Sequence, residues 1–222
     1  SASFGGSVRV RRAVFWGLAP IPVVAVAVWG LRSAPLAFAA YHVLCLAGWR
    51  ALRPPRGAQV GGETLGWGWL ALAPAVSVGA AWLGWTWAGE TLLDPPRFRE
   101  RMRELGAGPE SFAWLFPYFA LVNPVVEELF WREGVLGALR GAGLSDRRAV
   151  ALSSALFGLW HAVPVARMVP GWVAAAATVG IAVAGAGLAW VALRTGRRRE
   201  AVWLHAAGAD LPLLAVLAWA FA

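Results

Sequence analysis

The sequence predicts an all-α protein that crosses a membrane several times. Of the 222 residues, 59% are hydrophobic and only 14% are charged, with a mean hydropathy of +0.59. Apolar runs recur at about the 20-residue length that spans a bilayer, where helices satisfy every backbone hydrogen-bonding group. This composition excludes a soluble globular domain.

The hydropathy pattern predicts a bundle of seven spans, or eight if the fourth is divided. We separate an N-terminal membrane region, 1–110, from a C-terminal helical core, 111–222, within one membrane domain. The first apolar run follows a cluster of arginines and has no convincing cleavage site, so we expect a retained anchor. The predicted spans are 13–31, 34–49, 64–88, 110–139, 146–163, 171–193 and 201–221.

Arginine clusters between the apolar runs account for the net charge of +8. They follow the positive-inside bias of membrane proteins if the N-terminus is cytoplasmic and the C-terminus lies outside. This distribution argues against nucleic acid as a partner, in spite of a sequence pI near 11.4. Arginine is used throughout in place of lysine, which points to a GC-rich prokaryotic genome and to the prokaryotic cytoplasmic membrane as the location.

Other local patterns predict smaller features of the bundle. Phe98, Met102 and Leu105 share one face of a short amphipathic helix, which we expect to lie on the membrane surface with Asp94 as its N-cap. Residues 53–63 predict a basic, helix-breaking exit followed by a flexible linker. Further residues are expected to cap or pack helices, namely Ser145 as an N-cap and Gly180, Gly185 and Gly187 at close helix contacts.

Two adjacent carboxylates inside the fourth predicted span mark the candidate site. Ionisable groups at membrane depth are costly enough to count as functional candidates. Glu128 and Arg132 lie four residues apart and share a helix face, so they can neutralise each other. Glu127 lies about 100° round the helix without that partner, so it is the better candidate for a base. Pro117 and Pro124 are expected to kink or divide this span, as happens where a helix lines a cavity.

Histidines in two later spans add to this group. His161 lies one turn after Phe157 in the fifth span, and His205 lies near the start of the seventh. Because isolated ionisable groups are costly in a membrane, we expect both histidines and the two glutamates to share one cavity. His42 has no ionisable neighbour one turn away, so a structural role is favoured there. A single cysteine, Cys45, excludes an intrachain disulfide and a cysteine metal cluster.

Two ordered motifs connect these residues to a known family. The motif EExxxR occupies 127–132, and the motif FxxxH occupies 157–161. A third motif, HxxxN or HxxxD, starts at His205, but its acid comes one residue late, at Asp210. Over about 112–214 the chain therefore resembles the CPBP (CAAX protease and bacteriocin-processing) family of intramembrane endopeptidases, which includes the prenyl-protein endopeptidases.

The displaced acid of the third motif requires an irregular helix. On a regular helix Asp210 points about 100° away from the position of Ala209, which is the position that the family uses. Pro212 removes one helix hydrogen bond nearby, so a one-residue π-bulge between Gly208 and Pro212 would turn Asp210 back. We predict such a bulge in the seventh span.

The resemblance implies proteolysis inside the membrane, with 111–222 as the catalytic core. In this pattern Glu127 activates a water, and two histidines orient that water or stabilise an oxyanion. The catalytic candidates are Glu127, Glu128, His161 and His205, and the supporting candidates are Arg132, Asp210 and Phe157. The implied partners are the lipid bilayer and a membrane-anchored protein or peptide substrate. A prenylated C-terminal peptide, a leader peptide and a C-terminal sorting signal are all open as substrates.

A metal ion is the alternative to water activated by a base. Glu127, His161 and His205 are the candidate zinc ligands, and the family has also been described as metal-dependent. No HExxH motif is present, and the ligands would have to come from three helices. We therefore expect no required cofactor, because the sequence supplies a base and polarising groups.

Two other functions fit part of the pattern. A catalytically silent membrane binding or immunity protein would keep the fold, and the displaced Asp210 is its main support. A proton-coupled transporter would use the same acids and histidines as a relay, but no inverted repeat relates the two halves of the chain. Polar groups that only hold helices together would contribute about 0.6 kcal/mol per contact on average, too little to explain two adjacent acids.

Overall fold

The computed structural model describes residues 2–52 and 64–222, and nearly all of them are helical. These two ranges contain no strand, so the predicted all-α class is confirmed. The predicted basic exit and linker at 53–63 lie outside the described residues. The α-helices are α1 (Ala2–Leu18), α2 (Pro20–Ala25), α3 (Ala34–Leu52), α4 (Trp67–Leu93), α5 (Pro95–Glu104), α6 (Phe112–Pro117), α7 (Asn123–Glu128), α8 (Gly137–Gly141), α9 (Asp146–Met168), α10 (Gly171–Thr195), α11 (Arg198–His205) and α12 (Leu211–Phe221).

Four of these helices continue directly into π-helical segments. A π-helical turn accommodates one more residue than an α-helical turn, and such turns are frequent at functional sites. The π-helical segments are Val26–Gly30, Tyr118–Val122, Leu129–Leu136 and Ala206–Asp210. The last three adjoin α7 or α11, so the irregular helices are concentrated around the acidic pair and His205.

Six helices in the described ranges are long and apolar enough to cross a membrane. The fourth predicted span is a further helical stretch, continuous from 112 to 141 through alternating α and π segments. It is more polar than the others because it contains four charged residues, Glu127, Glu128, Arg132 and Glu133, within two turns. The polytopic helical bundle is confirmed. The six apolar helices are Gly5–Gly30, Ala34–Leu52, Gly68–Trp87, Asp146–Met168, Gly171–Thr195 and Arg198–Phe221.

The helix ends differ from the predicted spans by a few residues. The third span is longer than expected and covers Trp67–Leu93. Pro164 does not end the fifth span, which continues to Met168. Ser145 stands before α9, but its side chain makes no capping hydrogen bond, so the predicted cap is wrong. Asp146, the first residue of α9, is instead held by an ion pair.

Helix α5 is amphipathic as predicted, but its apolar face is turned toward the bundle. Asp94 accepts a hydrogen bond from the backbone N–H of Arg97 at 3.5 Å, which confirms the N-cap. Phe98, Met102 and Leu105 are buried. They are covered by protein because α5 contacts α4, α9 and α12.

Arginines on the polar face of α5 hold the ends of two spans. Nη1 of Arg99 donates to the backbone carbonyl of Ala220 at 2.9 Å, and Nη1 of Arg101 donates to that of Met168 at 3.4 Å. Cationic donors at a helix C-terminus satisfy carbonyl groups that lack partners within the helix. Helix α5 therefore ties together the C-terminal ends of α9 and α12.

Close packing of α9 on α10 involves one of the three glycines predicted for it. A Cβ added at Gly185 would lie 2.7 Å from Cδ1 of Phe157, whereas Gly180 and Gly187 have open space around them. The predictions for Gly180 and Gly187 are wrong because those residues lie on other faces of α10 than Gly185. Gly185 lets the Phe157 ring reach the middle of the bundle.

Gly158 of α9 provides a test of this packing. We predict that Gly158→Ala lowers stability, because the new Cβ would lie 2.7 Å from Cβ of Ala182 and 3.0 Å from the backbone oxygen of Thr178. Overpacking of this kind costs about 1–3 kcal/mol. Thermal unfolding in detergent, followed with a thiol-reactive dye at the buried Cys45, measures the loss. Gly180→Ala is the matched control, and equal unfolding midpoints for the two variants would contradict the prediction.

Candidate functional site

The Glu128 carboxylate is fully engaged by two cationic or polar partners. Its Oε2 accepts a hydrogen bond from Nε of Arg132 at 3.0 Å, which confirms the predicted pair across one helical turn. Its Oε1 lies 2.9 Å from Nδ1 of His205. All three side chains are buried. Both oxygens of Glu128 are therefore occupied in joining α7 and the following π-segment to α11.

The Glu127 carboxylate has one oxygen held and one without a hydrogen bond. Its Oε1 accepts a hydrogen bond from the hydroxyl of Tyr41 at 2.6 Å. Its Oε2 faces Nε2 of His205 at 3.2 Å but makes no hydrogen bond within the described part of the chain. Glu127 is only 1% exposed. The two adjacent glutamates thus differ in how many acceptor positions remain available.

The buried cluster formed by Glu127, Glu128, Arg132 and His205 also includes Asp210. The π-helical segment Ala206–Asp210 brings Asp210 to it. Five residues separate His205 from Asp210, and a π-turn places residues at this spacing above one another. Oδ1 of Asp210 lies 3.7 Å from Nε2 of His205, and Oδ2 accepts a hydrogen bond from Nδ2 of Asn123 at 3.1 Å. The wide turn begins earlier than the predicted interval from Gly208 to Pro212, but its predicted effect on Asp210 is confirmed.

His161 lies beside the cluster, and a hydrogen bond to a backbone carbonyl of its own helix holds its ring. Its Nδ1–H donates to the backbone carbonyl of Phe157 at 2.7 Å, since a carbonyl oxygen can only accept. In the neutral ring Nε2 is then the acceptor nitrogen. The His161 ring contacts the Phe157 ring at a centroid distance of 4.5 Å and the Trp160 ring at 3.9 Å. These contacts fix the ring plane.

The Phe157 ring lies near three polar residues of the site, His161, His205 and Arg132. Its centroid lies 6.3 Å from that of His205 and 5.2 Å from Cζ of Arg132. A guanidinium over an aromatic face is electrostatically favourable. Phe157 therefore lies against both histidines and the arginine, and its supporting role stays a prediction.

The charges of the cluster do not balance. Glu127, Glu128 and Asp210 are three buried carboxylates, whereas Arg132 is the permanent cation and His205 can supply a second positive charge. Net charge in a desolvated site is costly. Protons must therefore be shared among the acids and the imidazole, which gives the site the capacity to take up and release a proton.

Sequence reasoning missed three residues of the site. Tyr41 binds Glu127 directly, Trp131 donates from Nε1 to the Tyr41 hydroxyl at 3.0 Å, and Asn123 binds Asp210. Asn123 carried a signal, since it is a polar residue one turn before Glu127 in an apolar helix. Tyr41 and Trp131 carried none, because tyrosine and tryptophan are common in membrane helices without any such contact.

His42 and Cys45 lie near the cluster but outside its ion pairs. The hydroxyl of Tyr118 lies 2.5 Å from Nδ1 of His42, and His42 is buried. This contact joins α3 to the Tyr118–Val122 segment, and the structural role of His42 stays a prediction. Cys45 is free and buried, as expected for a small apolar residue.

Two of the candidate zinc ligands, His161 and His205, contact other protein groups through their ring nitrogens. Within the described residues, no three histidine, cysteine, aspartate or glutamate side chains are arranged to hold a metal ion. Nδ1 of His161 is bound to a carbonyl, and both ring nitrogens of His205 face carboxylate oxygens.

The fold and the site define a class of protein, a helical membrane protein with acids and histidines buried inside its bundle. Residues 109–208 match the family model described as Type II CAAX prenyl endopeptidase Rce1-like. This segment is similar to that protease family, as the motifs predicted, and the chain is an integral membrane protein. No curated protein and no solved structure gave a significant match. The matched segment includes the acidic pair and both histidines but not Tyr41.

Deletion of Ala209 tests the role of the π-segment. Ala209 is exposed, and its removal would place the acid four residues after His205 on a regular α-helix. We predict an unfolding midpoint close to that of the parent protein, because α12 keeps its register. Deletion of Leu213, 42% exposed within α12, is the matched control and is expected to lower the midpoint by rotating the rest of the helix by about 100°. The dye assay at Cys45 measures both variants, and the opposite order of midpoints would contradict the prediction.

Proposed function

We propose that this protein is an intramembrane endopeptidase that hydrolyses a peptide bond of a membrane-associated substrate with a water activated by Glu127. The observation that carries the proposal is the difference between the two glutamates. Both oxygens of Glu128 accept hydrogen bonds, from Arg132 and His205, whereas Oε2 of Glu127 has no hydrogen bond within the described residues and faces only Nε2 of His205, at 3.2 Å. A general base needs an acceptor that is free to take a proton.

The hydrolytic step balances with water and the peptide alone. One proton passes from the water to Oε2 of Glu127 while the water oxygen bonds to the scissile carbonyl carbon, and the carbonyl π electrons move to its oxygen. When this intermediate collapses, the C–N bond breaks and the nitrogen takes the proton from Glu127. The carboxylate is then ready for another cycle.

The two histidines have different supporting roles in this proposal. His205 is held by Glu128 through Nδ1, so its Nε2 is presented 3.2 Å from the proposed base. At this position it can orient the water or donate to the negative charge that develops on the carbonyl oxygen. His161 has Nδ1 fixed by Phe157, which leaves Nε2 as the nitrogen available to the reacting groups.

The position of Asp210 favours an enzyme over a silent relative of the same fold. The main support for the alternative function, a catalytically silent membrane binding or immunity protein, is the displaced acid of the third motif. Asp210 lies 3.7 Å from His205 and is bound by Asn123, so the acid occupies the cluster in spite of its displacement in the sequence. The third motif therefore no longer argues against catalysis.

The proposed setting is a prokaryotic cytoplasmic membrane with the N-terminus in the cytoplasm. The arginine distribution supports this orientation through the positive-inside bias. The proposed substrates are membrane-anchored proteins or peptides from which a C-terminal segment or sorting signal is removed. The name of the matched family, a prenyl endopeptidase family, supports C-terminal processing in particular.

Replacement of the proposed base tests the function. We predict that Glu127→Gln lowers processing by about a hundredfold or more, since an amide cannot accept the proton of the water. The measurement compares membrane and envelope proteins of cells that carry each form and looks for uncleaved precursors. Glu133→Gln is the matched control, because Glu133 binds Trp49 and Arg198 rather than the cluster.

The comparison has a clear negative outcome. If precursors accumulate equally with Glu127→Gln and with Glu133→Gln, the loss of processing comes from a general disturbance of the helical bundle. Processing that survives in the Glu127→Gln variant at equal abundance in the membrane would refute the proposed base.

Chelation tests the expectation that no cofactor is required. We predict that the purified protein keeps its activity after dialysis against 1,10-phenanthroline or EDTA, because the proposed step uses only side chains and water. Cleavage of a precursor identified in the cellular comparison is the measurement. Activity that is lost on chelation and restored by zinc would instead favour Glu127, His161 and His205 as metal ligands.

A further inference from the structure

We propose that Tyr41 is a positioning residue that orients the Glu127 carboxylate and assigns different tasks to its two oxygens. This inference rests on the proposed function of Glu127 as the base. Tyr41 comes from α3, outside the segment 109–208 that matches the protease family. The N-terminal helices would then complete the catalytic core as well as anchor it.

The Tyr41 side chain is itself fixed on three sides. Its ring stacks on that of Trp160 at a centroid distance of 4.0 Å with an interplanar angle of 28°. Its hydroxyl receives the indole N–H of Trp131 at 3.0 Å and approaches Oε1 of Glu127 at 2.6 Å. Tyr41 is 1% exposed, so bulk water does not compete for these positions.

The donors determine the direction of the hydrogen bond to Glu127. An indole N–H can only donate, so Trp131 occupies an acceptor position of the Tyr41 oxygen. The single hydroxyl hydrogen of Tyr41 is then directed at Oε1 of Glu127, the acceptor on its other side. A hydrogen bond to an ionised group is stronger than one between neutral groups. Tyr41 therefore holds Glu127 in its carboxylate form and in one orientation.

Fixing Oε1 leaves Oε2 as the reactive oxygen. Oε2 is buried, lacks a hydrogen bond in the described part of the chain and faces Nε2 of His205 at 3.2 Å. Without Tyr41 the carboxylate could rotate about its side chain, and either oxygen could turn to Nε2 of His205. The base would then lose the fixed acceptor that the attack of water requires.

The test removes only the hydroxyl group. Tyr41→Phe keeps the ring that stacks on Trp160 and is expected to lower kcat roughly tenfold to a hundredfold, with KM close to that of the parent protein. Tyr118→Phe is the matched control, since it also removes a tyrosine hydroxyl, a partly buried one that faces His42. The probe is a quenched fluorescent peptide with a prenylated cysteine followed by three residues, cleaved by the full-length protein in detergent.

A spectroscopic measurement reads the same contact without any substrate. The infrared carboxylate stretch that Glu127→Gln removes identifies the band of Glu127. We expect Tyr41→Phe to shift this band and Tyr118→Phe to leave it in place. A band that Tyr41→Phe does not move, or equal kcat values for the two tyrosine variants, would overturn the proposal.

Double variants separate positioning from general destabilisation. If Tyr41 acts through Glu127, Tyr41→Phe adds no further loss of activity to Glu127→Gln, because the group that it orients is already absent. If the double variant instead loses activity by the product of the two single-variant factors, Tyr41 does not act through Glu127. If the parent protein cleaves neither the peptide nor a precursor, the proposed function fails. The infrared band of Glu127 would still show whether Tyr41 orients its carboxylate.

Discussion

The candidate site depends on pairing two adjacent carboxylates inside a membrane. Glu127 and Glu128 leave their helix about 100° apart, and His205 lies between them, 3.2 Å from one and 2.9 Å from the other. Arg132 takes the remaining oxygen of Glu128. Removing one partner of a buried pair leaves an uncompensated charge, which costs about 3–5 kcal/mol. The approach of α11 to the acidic helix is therefore restricted to positions in which His205 reaches both acids.

Wide helical turns make this approach compatible with the chain. A π-segment follows the acidic pair over Leu129–Leu136, and another follows His205 over Ala206–Asp210. The second aligns Asp210 with His205, so that the ring nitrogen facing Glu127 also faces a third carboxylate at 3.7 Å. A single inserted residue is thus absorbed locally, and the motif keeps its acid although its spacing has changed.

Contacts within one helix were predictable, whereas contacts between helices mostly were not. The Glu128–Arg132 pair and the placement of His161 beside Phe157 follow from the helical repeat. Asp210 was predicted to turn inward because Pro212 weakens the helix there. Tyr41, in contrast, reaches Glu127 across 86 residues of sequence, and no local repeat reports such a distance. Gly180 and Gly187 were assigned to a helix contact that only Gly185 makes, since the contacting face of α10 depends on its neighbour.

The sequence alone determined that the protein is a helical membrane bundle, and its motifs predicted both the acid–histidine group and the similarity to a protease family. Hydropathy, helical periodicity and motif spacing are local properties of the chain, so these conclusions need no knowledge of the packing. Only the tertiary structure decided which partner each glutamate oxygen meets, because those partners are supplied by other helices. It placed Tyr41 and His205 on opposite oxygens of Glu127 and occupied both oxygens of Glu128.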